Sequence, residues 1–148
     1  MTLADLSACC GSGAWAKAMW ARQPFADGNA MHLAADEIWW SLEPEDWLEA
    51  FSKHPRIGEA SDAKWSSQEQ RGMEEADRET TAEVARFNAE YYTKFGFIFI
   101  VCASGKSAQQ MLDLMRSRIG NARDQEIKLA AVEQAKITHL RLNKLIAE

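Results

Sequence analysis

Residues 95–106, FGFIFIVCASGK, separate an all-α chain from one that contains a strand. The run is continuously apolar, rich in aromatic and β-branched residues and bounded by glycines. That pattern admits a lone strand, or a buried segment of irregular or helical conformation. The flanks are helical, so the run is read as a buried connection inside an all-α fold. On its N-terminal side, Met73, Ala76, Thr80, Val84, Phe87, Tyr91 and Phe95 recur every three or four residues, which is one stripe of a long helix. On its C-terminal side Ser107 is placed to cap a helix through AQQMLDLMRSRIG. Gly120-Asn121 then breaks the chain, and ARDQEIKLAAVEQAKITHLRLNKLIA, residues 122–147, reads as a long final helix.

Further out, Pro24, Pro44 and Pro55 each fall between segments of helical periodicity, so they punctuate helices. Asn29 is placed to cap a helix through AMHLAADEIWWSL, and Glu43-Pro44 to begin the next through EDWLEAF. The residue before Pro55 is pushed out of the helical region by the proline ring, which predicts that His54 sits on a bend. No repeat, low-complexity linker or second domain is visible. The expectation is a single-domain bundle, residues 1–148, of about seven or eight helices.

The 148 residues suffice for one core, and 47% hydrophobic with 26% charged residues is ordinary globular usage. No apolar run approaches the roughly 20 residues that span a bilayer, which argues against a membrane protein. A net charge of -5 without a Lys/Arg block excludes a nucleic-acid partner, whose phosphates require clustered cations. A small-molecule or protein partner is expected instead. Cys9, Cys10 and Cys102 make an odd number with no CxxC and no secretory signal, so neither a disulfide framework nor a zinc site is encoded. The sequence ends Leu-Ile-Ala-Glu rather than in a Ser-Lys-Leu signal, and a cytoplasmic location is expected.

Several side chains could carry chemistry. Arg141 interrupts the apolar stripe of the final helix between Ile137 and Leu145, near the direction of Ile127 and Gln134. A buried guanidinium there needs an anion opposite, from the protein or from a ligand. From position alone, a structural salt bridge or a snorkelling side chain explains it as well. WSSQEQRG, residues 65–72, holds two overlapping capping boxes, Ser66 with Glu69 and Ser67 with Gln70. Capping alone accounts for Glu69, yet a helix N-terminus with free N–H donors also suits an anionic substrate. His54 belongs to no metal motif. Lys53 and Arg56 flank it and disfavour its imidazolium form, leaving a group able to accept a proton, or else a plain turn residue. His32 and His139 lie inside helical patterns, and nothing in the sequence raises them above satisfied or solvated residues. Cys102 reads as an inert buried thiol, and Cys9 and Cys10 lack an activating context. Trp39, Trp40 and Trp47 read as core or dimer-interface mass before a ligand wall.

Taken together, RQPF at 22–25, DWLEAFSKHPRIGE at 46–59, WSSQEQRG at 65–72, FNAEYYTKFGFIFIVCASGK at 87–106 and EQAKITHLRLNKL at 133–145 resemble the OHCU decarboxylase family over nearly the whole chain. The resemblance implies an all-α enzyme that uses no cofactor and no metal, usually a homodimer. Its small-molecule substrate, 2-oxo-4-hydroxy-4-carboxy-5-ureidoimidazoline, is decarboxylated to (S)-allantoin in urate breakdown. On this resemblance the catalytic histidine falls on His54, with Pro55 beside it at the substrate, and its acidic partner on Glu69. Ser66, Ser67, Gln68 and Gln70 line the pocket, backbone groups of Val101, Cys102, Ala103, Ser104 and Gly105 meet the substrate, and the late arginine is Arg141. Two rival readings are a non-catalytic helical module that dimerises through its tryptophan face, and a related ureido-compound lyase or hydrolase. The second would need a water-activating group or metal that these motifs lack.

Overall fold

The computed structural model describes residues 1–57 and 78–147. Among them are seven helices and no strand: α1 Leu3–Cys9, α2 Gly13–Arg22, α3 Gly28–Ser41, α4 Pro44–Ser52, α5 Arg78–Phe95, α6 Ala108–Arg118 and α7 Arg123–Ala147. None of the described helices is long and apolar enough to cross a membrane. By density of contacts the chain forms two compact units, Met1–Lys53 with Ala131–Glu148, and His54–Ala130.

The helix starts follow local chemistry. The Thr2 hydroxyl accepts from the Asp5 N–H and the Asp5 carboxylate accepts from the Thr2 N–H, a reciprocal box that opens α1. Ser12 caps α2 through the Trp15 N–H. Pro44 occupies the first turn of α4, and Ser107 caps α6 in a box with Gln110, both as the sequence predicts. The start of α3 differs from expectation. Its cap is Asp27, whose carboxylate accepts from the Ala30 N–H at 2.8 Å, and Asn29 lies inside the first turn. The Asp27 backbone is extended, as a cap requires, and its negative charge is also favourable at the positive helix end.

In the first unit α2 packs against α1, α3 and α4. Leu6, Trp15, Met19, Trp39, Phe51 and Leu142 are almost wholly buried there. Each contributes about 1.5–3 kcal/mol of apolar burial, provided its polar atoms are satisfied. They are: Trp15 Nε1 donates to the Ala35 carbonyl and Trp39 Nε1 to the Ala131 carbonyl. Trp39, Trp40 and Trp47 form one aromatic cluster with ring centroids 5.7–6.5 Å apart. Trp39 lies in the core and Trp40 is 45% exposed, so core mass describes only part of the cluster.

In the second unit α5 packs on α6, and the apolar stretch of residues 95–106 connects them. Beyond Phe95, which closes α5, it is neither strand nor helix. Phe97, Phe99, Ile100, Val101, Cys102 and Ala103 are all buried in an irregular path. Such a path has no ladder partner, so its backbone oxygens need other donors. Long cationic side chains supply them. Arg123 Nε donates to the Phe95 carbonyl, Arg118 Nη1 to the Ile100 carbonyl at 2.7 Å, and Lys106 Nζ to the Cys102 carbonyl at 2.8 Å.

Arg118 is itself held from below. Its Nε donates to Glu126 Oε1 at 2.9 Å, an oxygen that also accepts the Tyr91 hydroxyl at 2.6 Å, while Asn121 Nδ2 donates to Glu126 Oε2. The guanidinium lies over the Phe99 ring, with 4.4 Å to its centroid. Burial, and secondarily the hydrogen bond to Glu126, raise the Tyr91 hydroxyl well above its ordinary range, so it is a fixed donor. The Glu126 side chain is fully enclosed. A buried pair of this kind adds little net stability over an apolar replacement, but breaking it strands a charge. Glu126→Ala is therefore expected to cost about 3–5 kcal/mol in urea unfolding. A loss below about 1 kcal/mol would contradict the role given to this carboxylate.

Candidate active site

His54 lies on a bend directly after α4, as the proline rule predicts, and is half-buried with Pro55 and Arg56. The helix closes at Lys53, whose N–H donates to the Ala50 carbonyl. Beyond the histidine the chain is pinned by Asn88 of α5, whose Nδ2 donates to the Ile57 carbonyl at 2.9 Å. Arg56 places its guanidinium over the Tyr92 ring, 5.3 Å from the centroid, where the ring face offsets some of its charge.

Val101, Cys102 and Ala103 form the buried end of the apolar connection, and Ser104 and Gly105 an exposed turn. Gly105 takes φ +75°, a left-handed conformation that side chains disfavour, and the Lys106 N–H returns to the Ala103 carbonyl at 3.0 Å. Arg118 and Lys106 grip the carbonyls of Ile100 and Cys102, so this stretch of backbone is held at both ends of its buried part. His54 and Val101–Gly105 belong to the same compact unit.

Arg141 belongs to the other unit. It is 92% buried, as its place on the apolar stripe suggests, and its Nη1 donates to the Ala8 carbonyl at 3.2 Å. That carbonyl dipole is one acceptor of the kind a buried guanidinium requires. Ser66, Ser67, Gln68, Glu69 and Gln70 lie outside the described residues, as do Met73 and Ala76 of the predicted stripe.

Two constellations were not legible beforehand. The Arg118–Glu126–Tyr91–Asn121 network joins four chain segments. Its signal was present, because Glu126, Ala130, Gln134, Ile137 and Arg141 share one three-or-four-residue spacing, and an acid on an apolar stripe asks for a cation. The second joins His32 and His139, whose Nδ1 atoms face each other. His139 Nε2 faces the Asp36 carboxylate at 2.7 Å, and His32 Nε2 faces Asn143 Oδ1 at 2.8 Å. One hydrogen must lie between the rings, since two bare nitrogens or two N–H groups would repel. Nothing in the spacing of residues 32 and 139 announces this pair. Among the described residues, no three His, Cys, Asp or Glu side chains cluster so as to hold a metal ion.

The thiols behave as their setting dictates. Burial pushes Cys9 up to about 12, against the attraction of Arg141. Burial also pushes Cys10 up to about 11, against a hydrogen bond from the Ser12 backbone. Both remain protonated at neutral pH. The ordinary value is 9.0, so the stability that comes from burying them as thiols is complete below pH 9 and is lost as pH rises toward 11–12. Iodoacetamide attacks thiolates. At pH 8 it should leave Cys9 and Cys10 of the native protein unmodified and label both in denaturant. Peptide mapping that finds either carboxamidomethylated in the native protein would contradict this assignment.

A sequence model of the OHCU decarboxylase family matches residues 2–143. The uric acid degradation bifunctional protein TTL of Arabidopsis thaliana is 40% identical over 95% of this chain and 46% of its own length, so the chain spans about half of that relative. The 2-oxo-4-hydroxy-4-carboxy-5-ureidoimidazoline decarboxylase of Halalkalicoccus jeotgali is 31% identical over 88% of this chain and 76% of its own length. A crystal structure of an OHCU decarboxylase in the presence of (S)-allantoin superposes with a TM-score of 0.89 at 37% identity, covering 97% of this chain and 98% of that one.

Proposed function

We propose, because this chain belongs to the OHCU decarboxylase family, that it converts 2-oxo-4-hydroxy-4-carboxy-5-ureidoimidazoline to (S)-allantoin and carbon dioxide in urate degradation, without a cofactor. The observation that carries the reading is the full-length likeness, at 37% identity, to an OHCU decarboxylase crystallised with (S)-allantoin. It is supported by a half-buried histidine on the His-Pro bend and a buried arginine on the last helix.

The substrate holds its own electron sink. Its carboxylate sits on a ring carbon next to an imine, so the pair released when the carbon–carboxyl bond breaks moves toward the C=N bond, and carbon dioxide departs. Cofactors are recruited where a substrate cannot hold that charge. The protein's tasks are to hold the carboxylate perpendicular to the imine plane, to move the hydroxyl proton, and to protonate the neighbouring carbon from one face. His54 takes the hydroxyl proton or returns it. Glu69 fixes the ring and ureido N–H groups or shares a proton with His54. Arg141 orients the polar groups without gripping the departing carboxylate, since binding the ground state as tightly as the transition state would not raise the rate. On the family resemblance, Pro55, Ser66–Gln70 and the backbone of Val101–Gly105 are assigned the remaining substrate contacts. A homodimer in the cytoplasm belongs to the same proposal, to be checked by light scattering and cell fractionation.

The test feeds freshly oxidised urate to the protein and follows allantoin by circular dichroism. Wild-type protein is expected to give the S enantiomer faster than the spontaneous reaction. His54→Ala should lose about 10²–10⁴ in turnover, the usual contribution of a general acid/base. Racemic allantoin at the spontaneous rate from wild-type protein would remove the proposal.

A further inference from the structure

The end of α1 and the turn that leads into α2, residues 8–12, are fastened to two other elements of their unit. On one side stands the last turn of α4. The Gly13 N–H donates to the Glu49 carboxylate at 2.8 Å, and Gly11 lies directly against Lys53. On the other side stands α7. Arg141 donates to the Ala8 carbonyl, and one helical turn earlier the Thr138 hydroxyl reaches the Cys9 carbonyl at 3.5 Å.

Gly11 is required for space. Its φ is not in the left-handed region, which among glycines with positive φ holds Gly96 and Gly105. An alanine is thus conformationally acceptable there, and by restricting the unfolded chain would on its own be stabilising. What opposes it is Lys53. A Cβ on Gly11 would overlap the Lys53 Cγ and stand 2.8 Å from its Cβ, with the Ala50 Cα at 3.6 Å. The Cγ can rotate away, but the Lys53 Cβ is fixed by the backbone. Ordinary contact begins near 3.4 Å, so the end of α4 would have to yield by at least about half an ångström. The next residue is His54.

We infer that Gly11 is a positioning residue for the reaction proposed above: its bare backbone lets the α1–α2 turn approach the end of α4, which His54 follows directly in the chain. The inference rests on the decarboxylase reading. It separates packing for stability from packing for alignment, because displacing a catalytic group by about 1 Å can cost on the order of 10²-fold in rate without unfolding the protein.

A double-mutant cycle on the full chain tests it, with kcat, KM and the enantiomeric excess of allantoin measured for wild type, Gly11→Ala, Lys53→Gly and the pair. Gly11→Ala should keep its helical circular dichroism and its KM, lower kcat by about 10- to 100-fold and lower the S excess toward racemic. In the Lys53→Gly background, where the obstructing carbons are gone, the same change should alter kcat by less than about 3-fold. A wild-type kcat in Gly11→Ala, or an equal loss in both backgrounds, overturns the inference and leaves the decarboxylase reading standing. Racemic product from wild-type protein removes both. Should Gly11→Ala fail to fold, Glu49→Ala takes its place, since that exposed side chain holds the same turn through Gly13. A lower kcat at unchanged KM and unchanged melting temperature supports the inference, and an unchanged kcat overturns it.

Discussion

The ion pair between Arg118 and Glu126 is the constraint on which the second unit depends. A fully enclosed carboxylate has to be neutralised, and three donors from three segments converge to do it: Arg118 from the end of α6, Asn121 from the loop and Tyr91 from α5. Arg118 spends its remaining reach on the carbonyl of Ile100. One charge deep in an apolar setting thereby dictates where two helix ends, a loop and an unladdered backbone segment must lie. The aromatic rings of Tyr91, Phe95, Phe97 and Phe99 fill the space around it at centroid distances of 4.5–6.1 Å. They contribute the burial, and the ion pair contributes the geometry.

The first unit reaches a similar result with different means. Its organising contacts are tryptophan N–H groups on backbone carbonyls of neighbouring helices and the close approach of a glycine to a helix end. In both units a backbone carbonyl meets a guanidinium: Ala8 with Arg141, and Ile100 with Arg118. The resemblance to the OHCU decarboxylases gives the first arginine a substrate role, and the second is paired with the Glu126 carboxylate.

Much of the fold was readable because the relevant forces are local. Apolar residues every three or four positions marked α5, the Ser107 cap and the Gly120-Asn121 break bounded α6, Pro44 marked the start of α4, and the residue before Pro55 was placed on a bend by the ring's own sterics. The start of α3 was misplaced by two residues because Asp27 and Asn29 both have capping side chains. The choice depends on which backbone is extended, and that is settled by tertiary contacts. Residues 95–106 could be recognised as buried but not given a conformation, since no local rule says that their carbonyls will be met by arginine and lysine. Of the candidate site residues, the local settings were readable: a bend at His54, burial at Val101–Ala103 and burial of Arg141 on the apolar stripe. Gly11 was invisible because its importance lies in a contact with Lys53, 42 residues away, that leaves no trace in spacing.

The side-chain tethers on residues 95–103 carry a further consequence. The stretch Phe97–Ala103 has no charge and no proline, and its β-branched and aromatic content is that of segments that stack into cross-β fibrils once their backbones are free. In the folded protein this backbone is irregular, and the oxygens of Ile100, Cys102 and Ala103 already accept hydrogen bonds, so no regular edge is offered for a second chain to extend. Loss of the Arg118 anchor would therefore change the fate of the protein as well as its stability, converting a sequestered segment into a self-templating one and making precipitation, rather than reversible unfolding, the outcome of damage at a single buried charge.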